Sequence, residues 1–512
     1  MRSRFASVSV LCALVPCAVL LGTSSAAALE SKDQPKPHVM SEPGDVTDVL
    51  DSFDSEAGDP FDISIAVGFQ YSSKSARILR ETAVFEPGLT TGGFTARTMN
   101  VASYAETTTK LTPRIEVGIY KDLALYSRIP IILNNARTLG ELDGSAGKIG
   151  EVAAAAPGEA PLFTLPFNAP ERSGIEHVAL GLDFAILNQA RDFTKPTWVF
   201  GAETRISAGT PMHACNADAD IPCAHPGDVN RNGQFDKDVV GANGLELESQ
   251  AVASREPGVT RGTVALEVHS LMSKRIKYIE PYGGISALFE FPTGDETDYG
   301  QSDFEGALVN HPPIVGNVSV GMMVHPWENR EKFMRLTFDM RFEGEYHSEG
   351  RDYSELFDAL GSTSVASMRE PKWARYRGCA AADGCTGETI SVVDASSSKT
   401  YFSGLTVVEG YGSYRASGSA TWRIAEFVKL HFGLGLRFDQ PHGISHDQPC
   451  NPDLKDRPLE SGPCHFVAAE NQVGATGIPN PAYHPVINAV GRRFYVDDSL
   501  TFDLFARAMV LF

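Results

Sequence analysis

The chain has 512 residues, with 64 acidic side chains against 44 basic ones and a formal net charge of −20 at pH 7. This balance argues against nucleic-acid binding, because proteins neutralise the phosphate backbone with Lys and Arg. Beyond Gly22 there is no run of about 18 apolar residues, so the sequence predicts no transmembrane helix.

Residues 1–28 have the pattern of a secretory signal peptide. Arg2 and Arg4 precede an apolar run, and a series of small residues ends at Ala28. A positive start, an apolar middle and a small-residue cleavage site mark such a peptide. We therefore predict cleavage after Ala28 and export of the remainder. Residues 29–58 are rich in Pro and acidic residues and lack a sustained pattern, which predicts a flexible periplasmic tail.

From residue 59 to residue 512, apolar residues repeatedly occupy every second position. The clearest segments are 61–71, 111–119, 123–133, 178–186, 334–342 and 428–438, and weaker ones are 197–209, 260–273, 278–291, 314–325 and 401–424. A period of two predicts β-strands with one apolar and one mixed face. With the C-terminal segment they make about twelve strands, within a range of 10–14.

The C-terminal segment Leu500–Phe512 reads LTFDLFARAMVLF and alternates throughout. A half-buried strand in a soluble sheet would have the same pattern. A last strand that ends in Phe resembles the assembly signal of outer-membrane β-barrels, which implies that Phe512 contacts the outer-membrane assembly machinery. Beside a signal peptide, the barrel interpretation is favoured.

The connections between the predicted strands alternate between short and long. The short ones lie at 121–122, 189–196, 273–277, 325–331 and 425–426, and the long ones at 72–104, 134–173, 210–259, 292–313, 349–400 and 440–490. Transmembrane barrels have short periplasmic turns and longer extracellular loops. The sequence therefore predicts an all-β fold: an up-and-down antiparallel transmembrane barrel over 59–512, in outer-membrane lipid, with both termini periplasmic.

Six cysteines remain after the predicted cleavage, and all six fall in the long loops. They form three pairs that are close in sequence, and an exported protein can oxidise them. We predict the disulfides Cys215–Cys223, Cys379–Cys385 and Cys450–Cys464.

Charged residues of both signs occupy the non-lipid face of the predicted strands. Such a set either fills a narrow barrel with ion pairs or lines a conduit and sets its selectivity. The candidate lumen-lining residues are Arg114, Glu116, Asp183, Glu203, Arg205, Glu267, Arg335, Asp339, Arg341, Lys429, Arg437, Asp503 and Arg507. Aromatic residues near predicted strand ends, where girdles occur, are Tyr71, Tyr120, Tyr126, Trp198, Tyr278 and Trp422.

One long loop contains a calcium-like motif, DVNRNGQFD, from Asp228 to Asp236. Oxygen side chains on alternate residues before a turn-making Gly can wrap a calcium ion. The candidate ligands are Asp228, Asn230, Asn232 and Asp236. The motif lacks the acid expected at its twelfth position, where Val239 stands, and Asn and Gly also form ordinary turns.

A barrel hydrolase would place a Ser or Thr beside a His near the membrane surface. His177, His269 and His431 are predicted on strands, and Ser319 or Ser413 could neighbour one of them. No spacing defines a nucleophile, a base and an acid, and no nucleophile-elbow motif occurs. The sequence therefore favours a protein that is not an enzyme and predicts no cofactor apart from the candidate calcium ion.

The mature chain resembles bacterial outer-membrane β-barrels. Its hairpin IEVGIYKDLALYSRIPIIL (Ile115–Leu133) resembles hairpins in outer-membrane proteins grouped with phenol-degradation-pathway channels. This resemblance implies a role in transport or in surface structure and assigns no catalytic residue. We expect a porin-like conduit for small solutes, hydrophobic ones included. The alternative is a non-conducting surface barrel whose disulfide-tied loops bind a partner.

Overall fold

A computed structural model of the chain describes residues 46–50, 52–54, 59–86, 93–156, 158–217, 223, 257–293, 299, 304–370, 372–385, 391–397, 399–400, 402–467 and 473–512. The predicted signal peptide and most of the predicted tail lie outside these residues.

Twelve antiparallel strands form one closed barrel. In chain order they are β1 (Ile63–Glu86), β2 (Gly93–Tyr120), β3 (Leu123–Arg128, continued as Ile131–Gly140), β4 (His177–Leu187), β5 (Thr197–Ser207), β6 (Thr263–Ser273), β7 (Ile279–Pro292), β8 (Val315–Asn329), β9 (Met334–His347), β10 (Tyr411–Ala425), β11 (Val428–Asp439) and β12 (Phe494–Leu511). Each strand pairs with its neighbour along the chain. The last strand also pairs with the first, with Leu504 opposite Tyr71. The predicted all-β, up-and-down barrel of about twelve strands is confirmed.

The outer face of the barrel is apolar, because side chains alternate between the two faces of a strand and every second residue is apolar. On β12, Leu500, Phe502 and Leu504 are between 40 and 47% exposed, whereas Asp503 is 6% exposed and points inward. Exposed apolar area costs about 25 cal/mol per Å² in water, so a continuous belt of such side chains belongs in lipid. Of the aromatic girdle candidates, Tyr120 and Tyr278 are exposed, but Tyr126 is buried on the inward face.

Connection length separates the two ends of the barrel. The turn end carries the short connections and the ends of β1 and β12 at Ile63 and Leu511. The loop end carries the connections at 87–92, 141–176, 208–262, 293–314, 348–410 and 440–493. The three predicted disulfides are present, and all of them lie at the loop end.

The long loop predicted at 72–104 is wrong, because most of it is strand. The β1 and β2 strands stay paired well past the apolar belt, with Ser75 opposite Ala105 and Ile78 opposite Ala102. Polar and small residues such as Ser75, Arg77 and Ser103 interrupt the outward face here, so the lipid-face alternation used to find strands ends early. The inward residues Ile78 and Ala102 are fully buried and stabilise this extension from the inside.

Loop-end segments fold into a compact layer that we call the cap, comprising residues 149–169, 354–369, 402–408, 442–447 and 484–494. The cap packs on the extended parts of β1 and β2 around one apolar core. Among its fully buried members are Leu162, Leu356, Leu360, Ile444 and Ile487. These described segments of the long connections are therefore folded against the barrel.

Helices in the described residues are short. They are α1 (Ile149–Val152), α2 (Phe357–Gly361), α3 (Ala366–Arg369) and α4 (Pro485–Asn488). None of the helices in the described part of the chain is long and apolar enough to cross a membrane. Short two-stranded pairs lie outside the barrel, at Ser52–Asp54 with Asp59–Phe61, Gly350–Asp352 with Thr406–Val408, Lys372–Trp373 with Lys399–Thr400, Tyr376–Gly378 with Ser391–Val393, Cys450–Asn451 with Ile478–Pro479, and His465–Val467 with Val473–Ala475.

Residues 46–50 differ from the flexible tail predicted for 29–58. Val49 and Leu50 are 2% and 5% exposed and form an apolar cluster with Ala124, Ala185 and Val199, which point inward from β3, β4 and β5. Two apolar residues within an acidic, Pro-rich stretch are too short a signal to predict this contact. We call residues 46–50 the N-terminal segment.

Replacing Leu434 with Arg tests the lipid face. A cation near the midplane of a transmembrane barrel costs about 2–4 kcal/mol, so Leu434→Arg should lower the free energy of unfolding in lipid vesicles by that order. The control is Gln70→Arg at a similar depth on the inward face, where Asp503 lies 3.4 Å from the amide nitrogen. Equal stability of the two variants, measured by urea titration, would contradict the assignment of Leu434 to the lipid face and of Gln70 to the inward face.

Candidate functional site

The lumen is the space that the twelve strands enclose, and charged side chains line it. The strand register places the following predicted residues on the inward face: Arg114, Glu116, Asp183, Glu203, Arg205, Glu267, Arg335, Asp339, Arg341, Lys429, Arg437, Asp503 and Arg507. Sequence analysis missed other inward ionic residues, among them Lys74, Lys110, Arg415 and Glu345, because they fell outside the segments with the clearest alternation.

The ion pairs between inward residues of the described strands run along the wall and do not cross the lumen. Arg128 on β3 contacts Glu203 on β5 at 2.5 Å. Arg415 on β10 contacts Asp503 on β12 at 3.1 Å. Further pairs are Arg114–Glu116, Arg205–Glu203, Arg205–Glu267, Arg341–Glu343, Arg415–Glu343, Arg437–Asp439 and Arg437–Glu345. Each joins residues on one strand or on strands no more than two apart in a ring of twelve. These pairs therefore neutralise charge at the wall without filling the centre.

Glycines on the intervening strands make room for this arrangement. The hydrogen bond between Asp183 and His269, at 2.8 Å, crosses β5 at Gly201. The hydrogen bond that Tyr282 donates to Asp339, at 2.9 Å, crosses β8 at Gly321. A Cβ at either glycine would overlap the side chains above it. Glycine thus lets long side chains lie flat on the wall.

Aromatic rings on the inward face also lie over glycines of the neighbouring strand. The Tyr126 ring lies over Gly181, and the Phe505 ring lies over Gly433. Large inward side chains would otherwise project into the lumen, because an inward Cβ on the neighbouring strand would push them off the wall. The repeated pairing of a ring with a glycine therefore keeps these rings against the wall.

Arg507 differs from the other inward ionic residues. It is exposed although it lies on the inward face of β12. Its cross-strand neighbours are His431 on β11 and Gly68 on β1. Solvent therefore reaches the lumen at this level.

Two cavities of about 230 Å³ each lie further toward the loop end. The lining of one combines apolar residues, among them Leu288 and Val315, with polar ones, among them Arg205 and Arg261. The other is lined entirely by polar side chains: Gln70, Ser72, Lys74, Glu106, Thr108, Lys110 and Thr501. The second cavity can hold a hydrated solute without burying apolar surface.

The N-terminal segment crosses the lumen near the turn end. The Thr47 hydroxyl lies 2.7 Å from the hydroxyl of Ser273 on β6, and the Asp48 carboxylate lies 3.7 Å from the Lys429 ammonium group on β11. These two strands stand five positions apart in the ring. The segment therefore spans between distant walls and narrows the passage at this end.

Arg172 helps to hold the cap in place. Its guanidinium group donates two hydrogen bonds to the Asp358 carboxylate, at 2.6 and 3.1 Å, and one to the backbone carbonyl of His213. Both charged side chains are at most 5% exposed. Because Asp358 lies in the first turn of the cap helix α2 and also accepts a hydrogen bond from the backbone N–H of Cys215, the pair connects three chain segments.

Arg80 is a second buried arginine at the cap. It donates to the backbone carbonyls of Ala154 and Val486, both at 2.8 Å, and of Arg492, at 3.0 Å. Burial and the nearby charge of Arg492 lower the pKa of the Arg80 guanidinium to about 10, so it still carries a proton at neutral pH. The Arg80 guanidinium group therefore connects the segments around residues 154, 486 and 492 to β1.

A Thr–His–Glu arrangement lies in the wall, unforeseen from sequence. The His325 Nδ1 lies 2.9 Å from the Thr337 hydroxyl, and its Nε2 lies 3.3 Å from the Glu280 carboxylate. The order resembles a nucleophile, a base and an acid. All three side chains are no more than 2% exposed, so the set has no opening for a substrate. Glu280 also accepts from Ser273, which makes this a buried structural network.

The remaining predicted candidates are placed as follows. His269 bonds Asp183, His431 lies 2.8 Å from the Thr421 hydroxyl, and Ser413 donates to Asp439. His177 borders the first cavity. The candidate calcium ligands Asp228, Asn230, Asn232 and Asp236 lie outside the described residues.

Comparisons with known proteins find similarity in structure alone. No protein-family model and no curated protein matches the sequence. The chain is similar to an outer membrane channel from Pseudomonas putida F1, at 9% identity and a TM-score of 0.32, over 88% of this chain and 96% of that one. It is similar to a Pseudomonas aeruginosa FadL homologue, at 10% identity and a TM-score of 0.30, over 88% and 90%. It is also similar to the outer membrane protease OmpT from Escherichia coli, at 7% identity and a TM-score of 0.23, over 88% and 96%.

The chain has the fold of an outer-membrane β-barrel. This follows from the closed twelve-stranded ring and its apolar belt. TM-scores of this size carry no argument about function, so we infer function from the lumen itself.

Substituting Gly181 tests whether glycines keep the lumen clear. In Gly181→Ala the new Cβ overlaps the Tyr126 ring, and overpacking of this kind costs about 1–3 kcal/mol. We expect lower stability in vesicles or, where the ring swings inward, lower conductance in a planar bilayer. The double variant Gly181→Ala/Tyr126→Ala should recover both properties. Gly316→Ala, which meets nothing within 4 Å, is the control, and equal behaviour of all variants would contradict the role of Gly181.

Removing Arg172 tests the cap. Breaking one side of a buried ion pair costs about 3–5 kcal/mol, because the partner charge remains buried. Arg172→Met should therefore expose residues 354–369 to added protease, and Arg172→Met/Asp358→Leu should restore part of the protection. Arg377→Gln removes an exposed pair with Asp383 and should change little. A fully protected Arg172→Met cap would show that the pair does not hold it.

Proposed function

We propose that the protein is an outer-membrane conduit for small, water-soluble solutes. The observation that carries this proposal is the lumen wall. Its ion pairs run along the wall, its rings lie over glycines, and Arg507 is exposed on the inward face. A structural barrel with a filled interior would pair its charges across the centre and would expose no inward guanidinium group.

The lining favours polar solutes over hydrophobic ones. The cavity between β12, β1 and β2 has only polar side chains around it. An apolar solute would leave their donors and acceptors without partners, at a cost of about 1–3 kcal/mol for each group. The cavity beside Leu288 and Val315 has apolar residues in its lining and accommodates the apolar part of a small amphipathic solute.

We assign the turn end to the periplasm and the loop end to the cell exterior. Short turns are periplasmic in barrels of this class, and the disulfides lie at the other end. The terminal strand β12, ending beside Phe512, is the segment we expect the assembly machinery to bind.

A non-conducting surface protein is the second candidate function. The packed cap favours it, because an apolar core and two buried arginines hold the loop end together. In that case the cap would present a rigid surface to a partner and the lumen would stay closed. A conduit would conduct ions in a planar bilayer and a closed surface protein would not, so a conductance measurement distinguishes the two functions.

Displacing the N-terminal segment tests the conduit. Val49 and Leu50 pack against inward alanines, so Val49→Asp/Leu50→Asp should release the segment and raise single-channel conductance in a planar bilayer. Val49→Ile/Leu50→Ile keeps the apolar contact and should conduct like the unaltered protein. No conductance in any of these proteins, all refolded and heat-modifiable on gels, would exclude the conduit and leave the surface role.

A further inference from the structure

We propose that the lumen passes small anions in preference to cations, and that Arg507 is the residue that sets this preference. This inference rests on the proposed conduit and specifies the class of solute. It concerns one wall of the barrel, formed by β12, β1 and β2.

Arg507 is available to a passing ion. No carboxylate among the described residues lies within ion-pair distance of it, in contrast to Arg415 and Arg437, each of which contacts two. The residue opposite it on β1 is Gly68, so no side chain from that strand covers the guanidinium group. Its donors therefore face lumen solvent.

The charged groups around Arg507 do not neutralise its positive charge. Charged residues near Arg507 include Arg114, Arg128 and Glu116. Glu116 is engaged by Arg114 at 2.8 Å, and Arg128 is engaged by Glu203. Arg114 also lies 3.9 Å from Asp183. Carboxylates therefore neutralise both neighbouring arginines, whereas Arg507 has no ion-pair partner among the described residues.

A polar path continues from Arg507 toward the loop end. The next inward residue on β1 after Gly68 is Gln70, which borders the fully polar cavity. Two lysines line this cavity: Lys74, which pairs with Glu355 at 2.8 Å, and Lys110, which pairs with Glu176 at 2.7 Å. Thr108 and Thr501 offer hydroxyl groups. An anion leaving Arg507 would thus meet hydrogen-bond donors.

The acids along this path have partners of their own. Glu106 accepts from Asn135 at 2.6 Å and pairs with Arg137 at 3.2 Å. Asp503 accepts from Ser72 at 2.6 Å and pairs with Arg415. These carboxylates repel a passing anion less than free ones would. The formal charge of −20 belongs to the whole chain, and salt screens its distant parts over about 8 Å.

The path fits small hydrated anions, such as chloride or a short carboxylate. Its donors are spread along the wall and do not converge on one point, so binding is weak at each site. Weak binding at several sites allows an ion to enter and also to leave.

The test is ion selectivity in a planar bilayer under a potassium chloride gradient. We expect a chloride-to-potassium permeability ratio above one for the unaltered protein and for Val49→Asp/Leu50→Asp. In Arg507→Gln the ratio should fall by about five-fold, since one charge a few ångströms from the ion is removed in a watery lumen. Arg507→Lys keeps the charge and should retain most of the preference.

Arg77→Gln removes one positive charge outside the apolar belt, where the side chain is 40% exposed beside Asp498, and should leave the ratio unchanged. A channel that conducts without preferring chloride, or an Arg507→Gln variant with an unchanged ratio, would overturn the inference and leave the conduit standing. Absence of conductance in every folded variant would overturn the conduit and the path together.

Discussion

Closure of the backbone ring is the constraint on which the rest of the structure depends. In hydrocarbon no water is present to pair an exposed N–H or C=O group, so a sheet that crosses it cannot have an open edge. The pairing of β12 with β1, with Leu504 opposite Tyr71, removes that edge. Once the ring is closed, alternate side chains face lipid or lumen, and every polar residue of a spanning strand must be accommodated inside.

The way in which these polar side chains are packed inside the ring determines how much of the lumen stays open. Long ionic side chains that pointed at the axis would meet across the centre and close it. Here they lie along the wall instead, over glycines such as Gly201 and Gly321 on the strand between the two partners. Because glycine has no Cβ, a glycine in a strand leaves room for a neighbouring side chain to lie against the wall. The same arrangement leaves Arg507, opposite Gly68, in contact with solvent.

The sequence could predict those parts of the fold that repeat. Alternation in 428–438 and 500–512 predicts strands because lipid demands an apolar residue at every outward position, and alternating loop lengths predict a barrel. The extension of β1 and β2 was not predictable in this way, since its stability comes from inward residues such as Ile78 packing under the cap. The Thr337–His325–Glu280 network joins three strands, and no local pattern marks contacts of that kind.

The two ends of the lumen differ in the strength of the contacts that restrict them. The cap has a large apolar core and two buried arginines, so its opening would break many contacts together. Among the described residues, the contacts of the N-terminal segment include those of its two apolar side chains, one hydroxyl pair and one ion pair at 3.7 Å. Val49 and Leu50 bury less apolar surface than the core of the cap does, so their displacement has a smaller free-energy cost. The passage is therefore more easily widened at the turn end, next to Arg507, than at the loop end.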